Sequence, residues 1–206
     1  MTGIVNYGAG NIYSVLTAFE KCGEKGFIIE NLSDFSKADR IILPGVGAFA
    51  DGIRSLRSSG LITGLYRSMN EGKPFLGICL GLQLLFSHSE EGNCDGFNLI
   101  RGKVKKFSFS SREIKVPHMG WSLVEVTEKG KELFRDIPDR TWFYFAHSYY
   151  AVPEETGTVA GKTHYGHEFA SVVRMGSIVG VQFHPEKSGY YGLVFVKNFL
   201  EGKWLP

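Results

Sequence analysis

Short apolar runs alternate with amphipathic stretches along the first third of the chain. "GIVNY" (3–7) has the length and apolar content of a buried strand and ends in the glycine-rich turn "GAGN". "NIYSVLTAFEKCG" then sets apolar residues at helical spacing and stops at Gly23. "GFIIE" (26–30) and "RIILPG" (40–45) predict two more strands, the second halted by its proline and glycine. One helical stretch of about twenty residues follows, ending at "EGKP", and "FLGIC" (75–79) predicts a fourth strand. Strands that alternate with helices predict an α/β fold: a flavodoxin-like, open, mostly parallel sheet flanked by helices.

The pattern changes from Phe97 onward. "FNLIRGKVKKFSF", "WSLVEVTE", "WFYFAHSYYAV", "GTVAGKTHYG" and "FASVVRMGSIVGVQF" alternate with turns and hold little helix. They predict an additional antiparallel or mixed sheet in the C-terminal half, joined to the same core. "GLVFVKNFLEG" closes the chain as an amphipathic helix. No linker, repeat or low-complexity tract separates the halves, so residues 1–206 are expected to form one domain.

Composition narrows the function classes. A net charge of +2 offers no electrostatic case for nucleic acid or an anionic membrane. No apolar run approaches the ~20 residues that span a bilayer. "MTGIVNYGAG" lacks the basic region and long apolar core of a secretory signal, so a cytoplasmic protein is expected. Cys22, Cys79 and Cys94 are odd in number and form no CxxC pair, which argues against a disulfide framework or a sulfur-rich zinc site. His164 and His167 form an isolated H-x-x-H, and neither a metal nor a cofactor is expected.

Open α/β sheets bind ligands at the carboxyl ends of their strands, where the glycine turns after Tyr7, Leu43 and Ile78 should converge. In "KPFLGICLGLQLLF" (73–86), Cys79 stands between Gly77 and Gly81 at such an end. The pattern is that of a nucleophile elbow, a sharp strand-to-helix turn holding the attacking atom proud of the sheet. Glycines two before and two after allow close backbone approach, and the first amides of the following helix favour a thiolate. The alternative is a buried cysteine packed in a core strand. A base is available in "GVQFHPEKSG" (180–189). Pro185 biases His184 toward an extended backbone, where Glu186, two residues on, points to the same side. Glu186 can then hold one ring nitrogen while the other accepts a thiol proton. Alternatively, His184 caps a strand end and Glu186 is solvated.

These motifs, G-x-C-x-G-x-Q (Gly77, Cys79, Gly81, Gln83), H-P-E (184–186) and "LPGVG" (43–47), resemble those of the triad-type, class I glutamine amidotransferases. "NYGAGN", "PHMGW" (117–121), "FHPEKSG" and "YFAHSYY" (144–150) are similar in particular to the glutaminase subunits of imidazole glycerol phosphate synthase. The resemblance implies that Cys79 attacks the side-chain amide of glutamine, with His184 as base and Glu186 as its orienter. It implies oxyanion donors in the backbone amides of Leu80 and Val46, the latter turned inward when a partner is bound. Two glycines around Val46 make such a peptide flip easy. It assigns glutamine binding to Gly47, Gln83, Ser148 and Tyr149. It supplies a (β/α)8-barrel cyclase as heterodimer partner, receiving ammonia across an interface with Asn11, Trp121, Tyr144 and Lys187. Many relatives carry aspartate at Asn6 and asparagine at Ser122. Those departures suit an alternative, a related subclass that feeds ammonia to a barrel partner modifying a surface-polysaccharide sugar.

Overall fold

A computed structural model describes residues 1–111 and 113–206. The first four strands lie where the apolar runs put them: β1 (Thr2–Val5), β2 (Gly26–Ile29), β3 (Arg40–Gly45) and β4 (Phe75–Cys79). Helix α1 (Ile12–Lys21) starts at Asn11, whose side chain accepts the Ser14 amide at 3.2 Å and satisfies one of the open first-turn donors. The expected twenty-residue helix is two helices, α2 (Phe49–Ser58) and α3 (Leu61–Asn70). Gly60 divides them with a φ of +73°, a left-handed turn that glycine adopts without a Cβ clash. After β4 the helix expected to follow Cys79 is a single turn, α4 (Leu80–Gln83). One turn carries little macrodipole, so its bearing on Cys79 comes through individual amides.

The remaining strands are β5 (Phe86–Ser89), β6 (Cys94–Asp95), β7 (Ile100–Lys106), β8 (His118–Val126), β9 (Thr141–His147), β10 (Tyr149–Pro153), β11 (Val159–Tyr165), β12 (His167–Met175) and β13 (Ile178–Val181). Helix α5 (Gly189–Glu201) follows a 3-10 turn, Pro185–Lys187. The C-terminal strands do not stand apart from the first sheet but continue it, in the order β2-β1-β3-β4-β13-β12-β10-β7-β5-β6. The block from β2 to β13 is parallel, and the sheet turns antiparallel at β12. A two-stranded ribbon, β8 with β9, hangs from it through β11.

Residue alternation on the central strands feeds two cores. Ile41, Leu43 and Phe75 pack with Phe49, Ile53, Leu61 and Leu65 of α2 and α3 on one face. Ile42, Leu76 and Ile78 pack with Val15 and Phe19 of α1 and Phe195 and Phe199 of α5 on the other. β7 buries Ile100, Gly102 and Val104 while Lys103, Lys105 and Lys106 face solvent. For the site, the decisive pairing is β13 beside β4. It brings the segment after Val181 to the carboxyl end that Cys79 occupies.

Candidate active site

Cys79 ends β4 with φ 54° and ψ −104°, a left-handed conformation that an L-residue with a side chain rarely adopts. The flanking glycines make that turn possible. A Cβ on Gly77 would lie 2.5 Å from the Gly81 carbonyl oxygen, and one on Gly81 would lie 1.9 Å from that of Leu43. Strand, turn and helix therefore touch backbone to backbone, and the turn pushes the Cys79 side chain to the sheet's end.

His184 sits on the neighbouring chain segment. Its amide donates to the Tyr144 carbonyl at 2.9 Å, and its own carbonyl accepts the Ser188 hydroxyl at 2.6 Å. Its Nδ1 meets Glu186 Oε1 at 2.8 Å, with both side chains only 4% exposed. Nε2 is buried and has no partner of normal hydrogen-bond geometry, so its contact with the Cys79 sulfur is loose in this resting state. Burial alone would push His184 down. Interaction with the Cys79 sulfur and with the Glu186 carboxylate outweighs it and raises the imidazole to about 10. Cys79 itself is 5% exposed, and Gln182 Nε2 points at its sulfur from 3.6 Å.

A cleft of 390 Å³ opens beside the sulfur. Val46, Gly47, Leu80, Gln83, Ser148 and Tyr149 line it together with Cys79. Sequence reasoning missed Glu91, Met119, Ala146 and His147 in the same wall. Glu91 lies in a polar loop and His147 directly precedes Ser148, but neither position has a local signal of its own. Glu91 Oε2 accepts the Phe49 amide at 2.8 Å. Tyr7 was also missed. Its hydroxyl is buried without a partner where a Cβ on Gly45 would meet it at 2.2 Å, and burial, with the nearby Cys79, raises it above the usual tyrosine range. A larger groove of 760 Å³ lies between the 3-10 turn Leu32–Lys37 and α3, but neither cysteine nor histidine lines it.

The residues expected to meet a partner lie close to His184 and to one another. Tyr144 is 6.4 Å from the His184 ring, centroid to centroid, and 6.1 Å from Trp121, while the Lys187 ammonium lies 5.9 Å over its ring. Asn11 caps α1, which packs on the Pro185–Lys187 turn. Cys22 and Cys94 lie elsewhere, their thiols directed at the backbone oxygens of Leu193 and Asp95.

Residues 4–201 match the sequence profile of the family described as glutamine amidotransferase class-I. The chain belongs to that family. A relative from Moorella thermoacetica, named imidazole glycerol phosphate synthase subunit HisH, is 48% identical over 96% of this chain and 93% of its own length. The HisH subunit of Desulfitobacterium hafniense (strain DSM 10664 / DCB-2) is 44% identical over 100% of this chain and 95% of that relative. Among solved structures, one described as a glutamine amidotransferase superposes with a TM-score of 0.75 at 17% identity, covering 97% of each chain. A chain of PurLQS from Thermotoga maritima gives 0.72 at 18% identity, again covering 97% of both. Those likenesses bear on the fold, which is that of class-I amidotransferases. Among the described residues no helix is long and apolar enough to cross a membrane.

Proposed function

We propose that this chain hydrolyses glutamine through Cys79, His184 and Glu186 and hands the ammonia to a (β/α)8-barrel cyclase that makes imidazole glycerol phosphate. The observation that carries the reading is the meeting of a left-handed cysteine, a glutamate-held imidazole and the glutamine cleft at one strand end. The Cys79 sulfur adds to the side-chain amide carbon while His184, raised to about 10 beside it, holds the proton. The backbone amides of Leu80 and Val46 hold the oxyanion, each such donor being worth roughly 3 kcal/mol in well-studied hydrolases. Val46, half exposed beside Gly47 at φ +99°, stands in a turn free to reorient. The intermediate collapses, His184 returns the proton to the leaving nitrogen, and ammonia departs. Water then attacks the thioester, losing its proton to His184, which keeps it beside the departing sulfur as glutamate leaves. Gly47, Gln83, Ser148 and Tyr149 grip the substrate, and the remaining Glu91 oxygen suits its ammonium group.

Ammonia released into water becomes ammonium and is no longer a nucleophile, so a covered exit is needed. The outward face of the β8–β9 ribbon suits a partner: Met119, Trp121 and Trp142 are 65%, 50% and 55% exposed on it, beside Tyr144 and Lys187. The HisH names of the relatives favour the histidine-pathway acceptor over a polysaccharide sugar. Glutamate release is to be measured with and without the barrel cyclase of the same organism, for the native chain and for Cys79→Ala. Release that rises when the cyclase is added and vanishes in the variant supports the reading. No release in either condition, or release that survives Cys79→Ala, overturns it.

A further inference from the structure

His147 in the cleft wall and His118 behind it, both buried, join in a chain that Cys79, His184 and Glu186 do not use. His147 Nδ1 lies 2.8 Å from the Tyr149 carbonyl oxygen, His147 Nε2 lies 2.9 Å from His118 Nδ1, and His118 Nε2 lies 2.8 Å from Ser122 Oγ. A carbonyl only accepts, so His147 Nδ1 carries a proton. In the neutral pair this leaves one arrangement. His147 Nε2 accepts from His118 Nδ1–H, and His118 Nε2 accepts from the Ser122 hydroxyl. Burial favours the neutral pair, holding His118 at about 4. Burial, with the charges of His118 and His184, holds His147 at about 3. Protonating His147 would set a second N–H against His118, forcing that ring to the opposite tautomer. Aromatic rings wedge the pair in place: Tyr165 stacks on His118 at 3.9 Å and Phe145 at 4.8 Å on its other side.

The chain ends on the substrate site. The Tyr149 carbonyl also accepts Gln83 Nε2 at 2.9 Å, and the same nitrogen gives its other proton to Gln182 Oε1 at 3.1 Å. Both Gln83 amide protons are thereby spent, and its Oε1 is the atom left to face a ligand in the cleft. Flipping that amide would set oxygen against oxygen twice.

Resting on the glutaminase reading, we propose that His118 and His147 are positioning residues for glutamine. They form a neutral, proton-ordered pair that holds the Tyr149 carbonyl and, through it, sets which atom of Gln83 meets the substrate. Neither touches the reacting atoms. Their effect falls on binding rather than on bond breaking.

The test uses the full chain with the barrel cyclase present. His118→Leu, which removes the donor to His147, is expected to raise KM for glutamine about tenfold, with kcat changed by less than about threefold. In His118→Asn, the amide nitrogen stands where Nδ1 stood, and KM is expected to return to within about threefold of the native value. Equal KM in the two variants, or a fall in kcat at unchanged KM, overturns the proposal. Nitrogen-15 spectra of the native protein give an answer independent of variant folding. Both rings should be neutral Nδ1–H tautomers from about pH 8 to about pH 5, through the ordinary histidine value near 6.5. The titratable groups packed on the pair are Tyr165 and His184, and among the described residues no carboxylate is hydrogen-bonded to either ring. A ring that titrates in that range, or an Nε2–H tautomer, overturns it. No glutamate release by the native complex removes the proposed function and the positioning role together. Normal release with native KM in His118→Leu removes the positioning role alone.

Discussion

Acid should unfold this protein partly through His118, and replacing that residue by asparagine should flatten the acid limb. The folded protein keeps the ring neutral down to about 4, against an ordinary value of 6.5, because the ring is buried between Tyr165 and Phe145. The sign follows from proton counting. Below about pH 6.5 the unfolded chain binds a proton at residue 118 that the native chain refuses, so stability falls as pH falls. Each pH unit in that window costs about 1.4 kcal/mol. From neutrality to pH 5 this amounts to about 1.5 units, or about 2 kcal/mol. Urea unfolding of the native chain and His118→Asn at about pH 7.5 and pH 5 measures it. Other titrating groups are shared, so they cancel in the difference of the two pH slopes. The native chain is expected to lose about 2 kcal/mol more than the variant, even though the variant starts lower for want of packing. Parallel slopes would mean that His118 takes up its proton in the native state, and the buried-neutral description would be wrong.

Three further expectations rest on other parts of the structure. Gly81→Ala drives a Cβ to 1.9 Å from the Leu43 carbonyl oxygen, and since neither backbone can yield cheaply, urea unfolding should register a loss of about 3 kcal/mol or more; a loss under about 1 kcal/mol would refute the close approach. His184, raised to about 10, contributes stability that is complete below about 6.5 and is lost as pH climbs through about 10, so the gap between the native chain and His184→Gln should narrow over that window in alkaline urea titrations. Trp121→Ala, at a half-exposed ribbon position, should leave the chain's melting temperature unchanged while weakening cyclase binding by about 2 kcal/mol in calorimetry, and unchanged affinity would move the docking face elsewhere.

Much of this fold was legible because the forces that set it are local. Buried strands show as apolar runs, helices as a 3.6-residue period, and the elbow at Cys79 as glycines placed where backbones collide. Gly60 belonged to the same vocabulary, yet the periodicity across it reads as one helix, and only its left-handed φ exposes the break between α2 and α3. The spacing of Glu186 from His184 is likewise a short-range matter, although their 2.8 Å contact forms through the 3-10 turn Pro185–Lys187 entered from an extended His184, and not along the extended segment the sequence suggests.

Which strands lie side by side is a different question. β13 beside β4, which carries His184 to Cys79, depends on how β12 reverses and on which core each strand can fill. No periodicity along the chain encodes that choice, because every apolar strand offers much the same ladder of hydrogen bonds. The same holds for Glu91, His147 and Gln182, which have ordinary sequence neighbours and become part of the cleft or its backing only when the β5–β6 loop, the end of β9, α4 and the end of β13 meet. The amino-acid pattern determined the elements and the residues capable of chemistry. Tertiary packing, a sum over contacts between distant segments, decided which of them share a site and which way their protons point.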